Sequence, residues 1–122
     1  MRASIAVLPP VIDEGSFFPF KFWFKNRIQD GMHYRSELYY RLHTVESQQR
    51  ARLYHFACRI AQRETVAVSA NDHTCSIWVS LRSASARDEG AIALLLDELM
   101  GMLASPSYTP PSLNGRSPFE LN

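Results

Sequence analysis

Apolar residues recur at Leu38, Leu42, Val45, Leu53, Phe56 and Ile60, and Gln49 fills the same series, at steps of 4, 3, 4, 4, 3 and 4. A mean step near the ~3.6 residues of an α-helix predicts one long amphipathic face. Phe20, Phe24 and Ile28 extend the series backwards, and it weakens at Gly31 and Arg35. Two readings of residues 17–63 follow. One helix runs from about Pro19 to Arg63, or Asp30-Gly31 is a turn between a short element and the helix. Pro19 suits a first helical turn with Ser16 as its N-cap. The alternation Phe18, Phe20, Phe22, Phe24 is strand-like; helix is expected from about Ser36 onward, and 17–30 stays open between the two with helix ahead.

A hairpin is expected next. Thr65 to Ser69 form a β-branched run, Asn71-Asp72-His73 a turn, and Thr74 to Leu81 a second run with clean alternation. Cys75, Ile77, Val79 and Leu81 share one side of that run; Ser76, Trp78 and Ser80 share the other. A second helix follows. Ser83 or Ser85 is its candidate cap, Asp88 and Glu89 suit its first turn, and Ile92, Leu95, Leu96, Leu99 and Leu103 give one stripe. The expected fold is therefore α+β: a long amphipathic N-terminal helix, a two-stranded antiparallel hairpin, a shorter acidic C-terminal helix and a disordered tail.

A chain of 122 residues fits one domain. Prolines and glycines mark both ends. They predict a flexible N-terminal arm over 1–16, a single α+β domain over 17–104 and a Pro/Ser-rich flexible tail over 105–122. About 88 folded residues bury a modest fraction of their surface, so oligomerisation or a partner is expected to help. The opening MRASIAVLPPVIDEG breaks its apolar run with Pro9-Pro10 and follows it with acids, unlike a secretory leader. No run reaches the roughly 18 apolar residues of a membrane span. Two cysteines make no disulfide framework, so a reduced, cytoplasmic setting is expected.

Charge is unevenly placed. Residues 17–63 hold nine Lys or Arg against three acids, whereas 88–104 hold four acids and no base, a split hidden by the net charge of +1. On a continuous helix Arg27, Arg41, Arg52, Arg59 and Arg63 fall along one flank, and the last four are the candidate contacts. Arginines there either cover the core with their stems or meet an anionic partner such as nucleic acid. The block Phe17 to Lys25 is dense in aromatics, with the chemistry of a membrane-interface anchor or of a plug into a core or partner; membrane binding by so short a block is weak.

His55, Cys58, His73 and Cys75 form a Cys2His2 set, H-x2-C-x14-H-x-C, whose ligand types suit zinc but whose order and spacing fit no familiar zinc module. It is the weak candidate for a metal, and no cofactor is expected. No GxSxG, P-loop, GxGxxG or HExxH is present, so no catalytic residue is assigned and an enzyme is not expected. The surplus of apolar and aromatic surface points instead to a non-catalytic protein-interaction protein: a small adaptor, regulator or subunit. Its expected contacts are Phe20, Trp23, Phe24, Tyr40, Tyr54 and Trp78, and its expected partner is another protein or a second copy of itself. A nucleic-acid-binding module using the arginine flank is the alternative.

Overall fold

The computed structural model describes residues 8–104. Its centre is a six-stranded mixed sheet. In chain order the elements are β1 (Val11–Asp13), β2 (Phe20–Phe24), β3 (Arg27–Tyr34), β4 (Glu37–Glu46), helix α1 (Arg50–Ile60), β5 (Val66–Ala70), β6 (Thr74–Ser80) and helix α2 (Glu89–Ala104). The strand order across the sheet is β1-β5-β6-β4-β3-β2. Only the β1–β5 pair is parallel; every other neighbouring pair is antiparallel.

The long N-terminal helix does not exist. Residues 20–46 form three strands joined by two tight turns, and α-helix begins only at Arg50, after a 3-10 turn over Ser47–Gln49. The helical spacing has a structural cause. On β4 the side chains Tyr40, Leu42 and Val45 all enter the same core, and the register shifts between Arg41 and His43 opposite β6. A β-bulge inserts one extra residue, so a period of two acquires a step of three. That step joins onto the true helical spacing of Leu53, Phe56 and Ile60 and imitates one unbroken helix.

Neither turn carries glycine. Lys25-Asn26 and Arg35-Ser36 connect their strands with two residues each, all at positive φ between 52° and 65°. This is the type I′ pattern, whose twist matches the flanking strands and which normally recruits Asn-Gly. The expected turn at Asp30-Gly31 lies instead in the middle of β3. Glycine is used there for space. A Cβ on Gly31 would come within 2.5 Å of the Phe20 ring and 3.0 Å of the Phe22 ring.

The two strands read as an isolated hairpin are inner strands of the larger sheet, with β1 beside β5 and β4 beside β6. Between them the Asn71 side-chain oxygen accepts the backbone N–H groups of His73 and Thr74 at 2.7 Å each, an Asx turn. Val11–Asp13, within the segment read as a flexible arm, is strand β1. Residues 105–122, read as a tail, lie outside the described residues.

Both helices lie on one face of the sheet. Leu53, Phe56, Ala57 and Ile60 of α1 and Ile92, Leu95 and Leu99 of α2 meet Tyr40, Leu42, Val45, Val66, Val68, Cys75, Ile77 and Val79 in one core. Each large side chain buried there contributes about 1.5–3 kcal/mol. Ser83 and Ser85 do not cap α2. Their hydroxyls bond Thr65 N–H and the Glu64 carboxylate, and the Asp88 side chain accepts from Gly90 N–H at 2.9 Å. The opposite face carries a smaller core of Ile12, Met32, Tyr39, Ala67 and Trp78, with no α-helix above it among the described residues. No described helix is long and apolar enough to cross a membrane.

Candidate protein interface

Strands β1 and β2 are the two edges of the sheet, and they are finished differently. β1 is three residues long and follows Pro9-Pro10, which supply no backbone donors. Short strands and prolines are the usual protection of an edge. β2 is longer, with five residues; Pro19 before it and Lys21 within it are its guards. Its outer row of backbone N–H and C=O groups has no neighbouring strand among the described residues.

The side chains of β2 alternate. Phe20, Phe22 and Phe24 point to the helix-bearing face, where their rings follow one another at 6.0 and 5.6 Å and reach Tyr40 at 5.2 Å. Lys21 and Trp23 point to the other face, opposite Asp30 and Ile28 of β3. Lys21 pairs with Asp30, whose second oxygen lies 3.5 Å from Arg41 Nε. Ion pairs this exposed hold side chains in place and add little stability. Lys25 stands 5.7 Å over the Phe24 ring. Around this edge the apolar surface is uncovered: Phe18 is 92% exposed, Trp23 67%, Ile28 60% and Phe20 38%.

Of the six contacts expected from sequence, the structure leaves Phe20 and Trp23 open on this edge. Phe24 is half-buried in the ring row, whereas Tyr40, Tyr54 and Trp78 are buried. Burial pushes the Tyr40 and Tyr54 hydroxyls up to about 12. The Tyr54 hydroxyl donates to Pro9 O at 3.2 Å. Trp78 lies under the Phe17 ring edge at 5.7 Å, with the Arg41 guanidinium 4.6 Å above it and its Nε1 donating to Ser69 Oγ at 2.8 Å. Phe18 and Ile28 are the members that sequence reasoning missed. Ile28 was assigned to a helix face. The signal for it was the Phe18–Phe24 alternation, which with a turn at Lys25-Asn26 sets Ile28 beside Trp23.

Arg41 drops out of the arginine flank, whereas Arg52 and Arg59, seven residues apart, stay on one side of α1. Arg41 sits on β4 on the face away from α1. Arg52 Nη1 donates to Leu103 O at 2.6 Å, Arg63 Nη2 pairs with Glu98 at 3.2 Å, and Arg59 is exposed on α1. The four do not line one surface. The metal set is likewise divided. His55 and Cys58 are on α1, His73 is in the exposed β5–β6 turn, and Cys75 is inside the helix-side core. Among the described residues no group of three or more His, Cys, Asp or Glu is arranged to hold a metal ion.

Comparison with protein-family models, with curated proteins and with solved structures finds no match.

Proposed function

We propose that this protein is a non-catalytic interaction protein, an adaptor, regulator or subunit that takes another protein chain onto the β2 edge of its sheet. One observation carries the reading: an edge strand with no neighbouring strand among the described residues coincides with four exposed apolar side chains, Phe18, Phe20, Trp23 and Ile28. An added strand would satisfy the outer backbone groups of β2, and side chains flanking Trp23 would give it selectivity. Trp is a frequent anchor of such contacts because it buries much area at little entropic cost.

The test is to recover the tagged protein from its native cell after nuclease treatment, as wild type and as Trp23→Ser/Ile28→Ser. Both side chains are exposed, so the variant is expected to keep the wild-type melting temperature. A protein that accompanies the wild type and is lost from the variant, whether a different one or an untagged copy of this chain, is the expected result. Equal recovery with both, or material that disappears with nuclease alone, overturns the reading.

A further inference from the structure

We infer that the chain the β2 edge accepts is a second copy of β2, paired antiparallel about Phe22; this rests on the edge reading above and names its occupant. A closed pair of identical molecules is related by a two-fold axis. For two antiparallel edge strands that axis stands perpendicular to the sheet. Residues directly opposite one another then share a face. The axis must therefore pass through a residue and not between two, because neighbouring residues of β2 point to opposite faces.

Three centres retain most of the strand. Centred on Lys21, the two Lys21 ammonium groups face each other. Centred on Trp23, Lys21 faces Lys25 from the other copy at both ends of the pair. Both arrangements set like charges directly across the junction, which is destabilising. Centred on Phe22, no charge meets its like. Phe22 lies opposite Phe22, Phe20 opposite Phe24, and Lys21 opposite Trp23. On the helix-bearing face the ring row Phe20–Phe22–Phe24 becomes six rings in contact. On the other face each Lys21, already paired with Asp30, comes beside an exposed indole, a cation–π arrangement. The two sheets continue as one of twelve strands, with the helices of both copies on the same side.

Charge at position 23 reads the register, and each substitution acts twice in a two-fold pair. Sedimentation equilibrium over a concentration series gives the dimer constant. Wild type is expected to dimerise reversibly. Trp23→Lys faces Lys21 and is expected to weaken the dimer about tenfold or more. Trp23→Glu faces the same lysine with opposite sign. It is expected to stay within about threefold of wild type at low salt and to weaken as salt rises. A Trp23-centred pair would lose affinity with both substitutions, because each would then face itself, and that result overturns the Phe22 register. A wild type that stays monomeric to its highest soluble concentration overturns self-pairing altogether. The edge reading is judged separately: a monomeric wild type leaves it standing where a different protein is still recovered with the wild type and lost from Trp23→Ser/Ile28→Ser. Unchanged melting temperatures of both variants exclude unfolding as the cause.

Discussion

Cys75 shows how much one residue's setting decides. Sequence offered it as a metal ligand and as an inward-facing member of a strand. Its side chain lies in the helix-side core among Val45, Ile77 and their neighbours, fully enclosed. Burial, reinforced by the nearby Glu14 charge, pushes its thiol up to about 12. A thiol held in its protonated form is slow to attack disulfides at neutral pH. Cys58 is half-buried and its thiol is also raised by burial. In the native protein at pH 8, an aromatic disulfide reagent is therefore expected to titrate one thiol slowly, Cys58, and to reach the second only in denaturant. Two thiols reacting at once without denaturant would contradict the enclosed position of Cys75. A Cys58→Ser variant assigns the slow reaction.

At the scale of elements, what was legible and what was not follow one physical rule. Segments whose periodicity is set by a single packing surface read correctly from residues alone. The stripe Ile92, Leu95 and Leu99 is buried on α2, and the inward set Cys75, Ile77 and Val79 lies on β6. Strands β2 to β4 did not read, for two reasons. The bulge at Arg41–His43 lent β4 a helical step, and the turns lacked the glycines that announce I′ geometry. Phe20 and Trp23 were visible as a dense aromatic block, but which of the aromatics stay outside depends on pairing that sequence does not display. The turns make a prediction. A non-glycine residue in the left-handed region costs roughly 1–2 kcal/mol, part of which glycine returns in unfolded-state entropy. Ser36→Gly, at φ 64°, is expected to stabilise the protein by about 0.5–1 kcal/mol and raise its melting temperature by roughly 2–8 °C. Arg35 stacks over Tyr34 and is left untouched. A lower melting temperature would show that the Ser36 side chain stabilises the turn by more than its backbone strain costs.

At the scale of the whole molecule the topology sets a particular problem. β1 is one edge and β2 the other, yet they are consecutive in the chain. Residues 14–19 must therefore cross the sheet, and they cross the face opposite α1 and α2. The crossing is fastened at two places. The Glu14 carboxylate accepts from Ser69 Oγ at 2.5 Å and from Asn71 Nδ2 at 2.7 Å, and Phe17 covers Trp78. Ser69 in turn holds the indole N–H, so the polar anchor and the aromatic one share a residue. This short segment covers the face that neither α1 nor α2 covers, which explains how Trp78 is buried there. Phe17→Ala is expected to cost about 1–2 kcal/mol in urea unfolding, from lost apolar burial and the edge-to-face contact. The chain has two tryptophans, so in a Trp23→Phe background Trp78 alone reports. Its emission should be blue and resistant to iodide, and Phe17→Ala should shift it red and open it to quenching before the unfolding transition begins. An unchanged spectrum together with unchanged stability would mean that Trp78 is enclosed by the sheet and Arg41 alone, and that the crossing segment serves only to join the two edges.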